Sequence, residues 1–185
     1  MLHGIVELPF WKNSPTLAGR LLGGWTVSFV SQFQTGNSTW VGTGDDFAGV
    51  GPGSSGQSWV LNGDPGLPRG QRKFSTGAAD GNYWFKTRLA DGSAMFTAPA
   101  SGTFNPKPFR NLVFGPGLQN HNLSVFKDLP VGEGRKLQLR LEAFNWLNHP
   151  NWNFPGLNPT VSSSFGKVQS KSSERSMQIV LRYSF

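Results

Sequence analysis

The chain contains no cysteine, so neither a disulfide framework nor a thiolate metal site can hold it together. It also has no run of about 20 apolar residues, the length that a transmembrane helix requires. Charged residues make up only 15% of its 185 positions, and good helix formers are scarce. These absences exclude a disulfide-rich scaffold and a bundle of membrane helices, and they disfavour a helical domain.

Turn-forming and aromatic residues are abundant instead. There are 24 glycines, 13 prolines, 7 tryptophans and 15 phenylalanines, a mixture that predicts an all-β chain with long irregular loops. The formal net charge is +7, but the basic residues are spread singly or in small groups along the sequence. Because a nucleic-acid interface needs a clustered basic patch, no nucleic-acid partner is predicted.

The end of the chain, residues 175–185, alternates between apolar and polar side chains. In an extended strand successive side chains point to opposite faces, which places Met177, Ile179, Leu181, Tyr183 and Phe185 on one face. The opposite face carries Gln178, Val180, Arg182 and Ser184. This pattern fits a strand that crosses a membrane in a β-barrel, and it equally fits the last strand of a soluble sandwich.

Connection lengths separate these two interpretations. Five segments show the two-residue period: residues 2–8, 24–35, 120–127, 136–148 and 175–185. The connections 9–23 and 128–135 are modest, whereas 36–119 and 150–174 are long and rich in Gly, Pro, Ser and Asn. Long loops that alternate with short turns are typical of outer-membrane barrels and unusual in compact soluble domains. The sequence therefore predicts about five antiparallel strands of a transmembrane β-barrel, with both long loops on the extracellular side.

Charged residues on the polar faces of the last two strands fit a hydrated lumen. Arg140, Glu142 and Arg182 would be costly facing lipid but can pair inside a barrel. We therefore expect these three residues to face the lumen, with Glu142 in contact with either Arg140 or Arg182.

Catalytic signatures are lacking: there is no HExxH or GxSxG motif, and the three histidines are far apart in sequence. The chain is predicted not to be an enzyme, with no cofactor and no metal.

The acidic residues of the loops lie in turn signatures, without the regular spacing of a calcium loop: Asp45-Asp46, Asp64, Asp80 and Asp91. Aromatic residues of the loops are the candidates for ligand contact, although loop packing is the more frequent role for each: Trp40, Trp59, Tyr83, Trp84 and Trp152.

Several segments together resemble the TonB-dependent outer-membrane transporters of the Oar-like kind. They are Leu8-Pro-Phe10, Leu22-Gly-Gly-Trp-Thr-Val27, Gln34-Thr-Gly36, Asn120-His-Asn-Leu-Ser-Val-Phe-Lys127 and Phe165-Gly-Lys-Val168. The family's Arg-x-Glu-x-Phe-Asn and Asn-His-Pro-Asn motifs are matched by Arg140, Glu142, Phe144, Asn145, Asn148, His149, Pro150 and Asn151, with Trp152 where Phe is usual. His149 is interpreted as a structural hydrogen-bonding residue at the corner between strand and loop.

The resemblance implies that residues 1–185 are the C-terminal part of a receptor barrel of about 22 strands. It implies as partners the remaining barrel and plug, outer-membrane lipid and, indirectly, TonB, which would drive uptake of an unidentified ligand. It further implies that the barrel-assembly machinery reads Phe185. The residues after Met1 show no secretory-signal pattern, so we expect the chain to be either soluble or the end of a longer protein. The alternative is a soluble or secreted β-sandwich that binds a carbohydrate-like ligand.

Overall fold

The computed structural model describes residues 1–11, 16–51, 57–72, 74, 81–107 and 113–185. The chain forms two compact units. The sheet unit comprises Met1–Gln34, Leu118–Asn151 and Ser172–Phe185, and the loop unit comprises Thr35–Gly117 and Trp152–Lys171. Within the described residues, no helix is long and apolar enough to cross a membrane.

Strands dominate the structure. In chain order the elements are β1 Leu2–Glu7, α1 Leu17–Leu22, β2 Trp25–Gln34, β3 Ser38–Thr39, β4 Val60–Leu61, a 3-10 turn Arg69–Gln71, β5 Phe96–Thr97, β6 Val113–Phe114, β7 Leu118–Pro130, β8 Lys136–Phe144, β9 Asn151–Trp152, β10 Lys171–Ser172 and β11 Ser176–Ser184.

The sheet unit is built on one antiparallel sheet with the strand order β1-β2-β7-β8-β11. The five predicted strands are all present, and the predicted fold class, an antiparallel barrel segment, is confirmed. Two boundaries differ from the expectation. β7 is longer than predicted at both ends, and β8 ends at Phe144 instead of continuing to residue 148 because Asn145 adopts a positive φ of 46°. The short helix α1 was not predicted, since six residues are too few for a clear helical period.

The strand register gives the sheet two chemically different faces. Residues paired across neighbouring antiparallel strands lie on the same face, so the pairs Val27–Val125, Val125–Leu141 and Leu141–Ile179 form one apolar row across four strands. The opposite face is mostly polar, as in the row Ser28–Ser124–Glu142–Gln178. In these rows the segregation that was predicted for single strands extends across four neighbouring strands.

The buried hydrophobic core lies in the loop unit. Its members are Val41, Phe85, Met95, Phe96, Val113 and Phe165. The three phenylalanines contact each other edge to face, with ring centroids 5.5–5.8 Å apart. Short strand pairs β3–β6 and β4–β5 frame this core. The two long connections that were expected to be irregular loops thus contain a folded unit with a core of its own.

Candidate functional site

The apolar face of the sheet is partly exposed, most of all on the edge strand β11, and ends in aromatic residues. On β11 the exposed fractions are 74% for Met177, 75% for Ile179 and 65% for Leu181. In a soluble sandwich this face would pack on a second sheet. A row of exposed large aliphatic side chains requires an apolar surrounding instead, which the hydrocarbon region of a bilayer provides.

The polar face carries a hydrogen-bonded chain of side chains. Arg140 Nη1 lies 3.2 Å from Glu142 Oε1, and Arg140 Nη2 lies 3.3 Å from Gln138 Oε1. Gln138 Nε2 donates to Asp128 Oδ1 at 2.8 Å, and Gln178 Nε2 donates to Glu142 Oε2. This series of hydrogen-bonded side chains therefore crosses three strands, β7, β8 and β11.

The three residues expected to face the lumen share this polar face. Of the two contacts expected for Glu142, the structure forms the one with Arg140. Arg182 lies opposite Gln138 in the register, four pairs away from the Glu142–Gln178 pair, so the expected alternative contact with Arg182 is not formed. Arg140 also lies over the Phe126 ring, with its Cζ 5.4 Å from the centroid, so the guanidinium is held between a carboxylate and an aromatic face.

An asparagine clamp joins the ends of β7, β8 and β11. The buried Asn145 side chain accepts from the His149 amide at 3.0 Å and donates to the carbonyl oxygens of His149, at 2.9 Å, and of Ser173. Asn122 Oδ1 accepts from the Asn145 amide at 3.1 Å. Asn151 imitates a strand neighbour by bonding both the amide and the carbonyl of Gln119, each at 2.9 Å. The motif that carried the resemblance therefore forms a structural corner.

Two of the five candidate loop aromatics line a cleft of about 250 Å³ in the loop unit. This cleft, here the tyrosine cleft, is lined by Trp59, Tyr83, Thr87, Arg88, Ser162 and Phe165, among others. Trp59 Nε1 lies 3.4 Å from Thr43 Oγ1, and Lys167 Nζ lies 5.1 Å from the Tyr83 ring centroid. Both rings are half-buried, so they pack in the unit and also present a surface to the cleft.

Trp84 belongs to a second cleft, here the arginine cleft, of about 260 Å³. Its lining includes Asp64, Leu67, Arg72, Phe85 and Phe114. The Arg72 guanidinium lies over the Trp84 ring at 4.2 Å, and its Nε donates to the Leu67 carbonyl at 2.9 Å. Partial burial lowers the pKa of Arg72, with a smaller contribution from nearby Arg69. Arg72 was not among the predicted site residues, because a lone arginine in a loop has no sequence signature.

The remaining two candidates lie outside both clefts. Trp152 contacts Phe74, which stacks on Trp84, with centroid distances of 5.2 and 5.6 Å. The Trp40 ring covers Gly42 so closely that a Cβ there would lie 2.3 Å from it. These two residues pack within the loop unit.

The acidic turns form local hydrogen bonds. Asp46 accepts from the amides of Gly49 and Gly51 at 3.0 and 2.8 Å, and Asp64 accepts from the Gly66 amide at 2.8 Å. Bonds from the Ser93 hydroxyl and amide hold the pKa of Asp91 below its usual range. Asp80 lies outside the described residues. Among those that the structure describes, no three His, Asp or Glu side chains come together as metal ligands.

Comparison with known protein families shows to which family the chain belongs. Residues 1–178 match the outer membrane beta barrel domain family. The chain belongs to that family. It is therefore an outer-membrane protein, and in barrels of this class the apolar face of the sheet is the one that faces lipid. No curated protein and no solved structure gives a significant match.

Proposed function

We propose that the chain is part of a TonB-dependent receptor that takes up a ligand through the outer membrane, and that it has no enzymatic role. The folded loop unit is the observation that carries this proposal. A barrel that only anchors or passively conducts does not need an excursion with its own aromatic core and two clefts, whereas a receptor needs a shaped surface to capture its ligand. The Oar-like motifs around Arg140 and Asn145 add the transporter class to this argument.

The arginine cleft favours a ligand with an apolar part and a negative charge. The Arg72 guanidinium, held over the Trp84 ring, supplies several donors to a carboxylate or a similar anion, and Phe85 and Phe114 give the cleft an apolar wall. With about 260 Å³, the cleft is smaller than most sites for whole drug-sized ligands, which are about 300–1,000 Å³. It therefore suits one ring or sugar unit of a larger ligand, such as an acidic oligosaccharide or a ferric catecholate complex.

Binding tests the ligand part of the proposal. Cells that display the protein would be titrated with fluorescent oligogalacturonide and with a fluorescent ferric catecholate complex. Arg72→Gln should weaken the binding of one probe about tenfold or more, since a charge-assisted hydrogen bond contributes about 1.5–3 kcal/mol. Arg69→Gln is the matched control, because Arg69 is an exposed neighbour outside the cleft. Equal binding by both variants and the parent would overturn the assignment of this cleft.

Uptake tests the transporter part. Accumulation of the bound probe inside cells should stop in cells that lack TonB, while surface binding persists. We also propose that the barrel-assembly machinery recognises the last residue, Phe185, which is 97% exposed. A variant of this residue can be tested in the same cells. Phe185→Ala should lower the amount of protein in the outer membrane without changing the affinity of the remaining copies. Uptake that is equally fast without TonB would instead identify a passive pore.

A further inference from the structure

A cluster of exposed apolar side chains lies in the connection between β1 and β2. Helix α1 begins after Thr16, whose Oγ1 accepts from the Gly19 amide at 3.1 Å. Its residues Leu17, Leu21 and Leu22 are 74%, 56% and 57% exposed, and Phe10 and Trp11 before the helix are also largely exposed. We call these five residues the α1 patch. The Trp11 carbonyl oxygen lies close to Gly23, at the end of α1, so the segment before the helix returns to its C-terminal end. Exposed large apolar side chains that are concentrated in one connection mark an interaction surface.

Two side chains show on which side of the sheet α1 lies. Trp25 and Lys127 are paired in the register and stand on the lipid-facing side with Val27 and Val125. Trp25 Nε1 donates to the Leu21 carbonyl at 3.3 Å, and Lys127 Nζ donates to the Gly23 carbonyl. Both side chains therefore reach the C-terminal end of α1 from the lipid-facing side, and α1 lies on that side.

The same contacts fix the level of α1 along the strands. Trp25 begins β2, and Lys127 lies three residues before the end of β7, where the short turn to β8 starts. Tyr183 and Phe185 lie at this end of β11, with ring centroids 5.9 Å apart. Aromatic rings such as these are typical of the boundary between hydrocarbon and headgroups. The α1 patch thus lies at the level where the lipid-facing surface meets the headgroups.

We propose that the α1 patch is a membrane anchor, which lies in the headgroup–acyl boundary of the leaflet on the short-turn side. Its partner is the phospholipid around the sheet, because the patch is continuous with the apolar surface of the sheet through Trp25. Arg20 in the last turn of α1 supplies a positive charge for lipid phosphates. The inference rests on the outer-membrane location alone and not on TonB-dependent transport.

Single cysteines can test this placement, because the chain contains none of its own. Leu17→Cys, Leu21→Cys and Leu22→Cys would each be labelled with an environment-sensitive NBD dye in the whole protein. The protein would be reconstituted in vesicles of phosphatidylethanolamine and phosphatidylglycerol. Ile179→Cys reports the lipid-facing strand, and Glu133→Cys reports the exposed β7–β8 turn at the same end of the sheet.

We expect brominated lipids to quench the dye at residues 17, 21 and 22 at least threefold more strongly than at residue 133. Aqueous iodide should show the reverse order. Iodide quenching at α1 equal to that at residue 133, with residue 179 still quenched by lipid, would overturn the anchor and leave the membrane location intact. Protection of all three α1 positions from both quenchers would also overturn it, because the patch would then be covered by protein.

Discussion

Asn145 and Asn148 both adopt a positive φ where β8 ends, at 46° and 53°, but they differ in what their side chains do. Asn145 is buried and bonds three backbone groups, of His149 twice and Ser173 once, whereas Asn148 is exposed. Asparagine tolerates this backbone conformation better than most residues. Asn145 therefore adopts the left-handed backbone conformation and also supplies side-chain hydrogen bonds, whereas Asn148 contributes only the backbone conformation.

Replacing each asparagine by glycine separates these roles, because glycine keeps the backbone conformation and removes the side chain. Asn145→Gly should lower the free energy of unfolding by about 1–3 kcal/mol, since buried carbonyl and amide groups lose their partners. Asn148→Gly should change it by less than about 1 kcal/mol. Urea titration of the protein in lipid vesicles measures both values. Equal losses would mean that the clamp hydrogen bonds contribute nothing.

Asp91 gives the loop unit a pH dependence of known sign. Its pKa is lowered in the folded protein, so its stabilising effect is complete above the usual carboxyl pKa of about 4 and is lost as the pH falls through the folded pKa. We expect the Ser93 amide to stay protected from hydrogen exchange at neutral pH and to lose protection only in acid. Asp91→Asn should remove this pH dependence. A protection change between pH 6 and 8 would contradict the assignment.

At the scale of elements, two adjacent residues of β7 lie on opposite faces of the sheet, one apolar and one polar. Val125 lies between Val27 and Leu141 on the apolar face, and Ser124 lies between Ser28 and Glu142 on the polar face. Val125→Arg should cost about 2–4 kcal/mol in unfolding free energy, as a charge facing the bilayer midplane does. Ser124→Arg, with Glu142 beside it, should cost less than about 1 kcal/mol. Similar penalties in vesicles would show that the two faces have the same surroundings.

The sequence predicted the sheet well because a period of two survives in every long strand. The alternation of Leu137, Leu139 and Leu141 with polar residues identifies β8 and its faces before any pairing is known. By contrast, α1 and the loop unit depend on contacts between distant residues. Nothing local marks Arg72 as the partner of Trp84, or Phe165 as the partner of Phe85 and Phe96, because their packing is set only when the connections fold.

At the scale of the whole molecule, the loop unit has its own hydrophobic core, so we expect it to unfold independently of the sheet unit. Met95 is 1% exposed in the loop unit, and Met95→Ala should destabilise that unit by about 2–5 kcal/mol through the cavity it leaves. Protease added to vesicles should then cut within residues 35–117, while the strands of the sheet stay intact. Phe104→Ala is the control, because Phe104 is exposed and its loss leaves no cavity. Loss of the strands along with the loop unit would show that the two units unfold together.

The core of the loop unit draws on two parts of the chain that the sheet keeps apart. Phe85 and Phe96 come from residues 35–117, between β2 and β7, whereas Phe165 comes from residues 152–171, between β8 and β11. The core can close only after both connections have been made and have met, so it cannot form before β8 and the segment after it exist. A chain that lacks residues 152–171 should therefore leave Phe85 and Phe96 without their third aromatic partner.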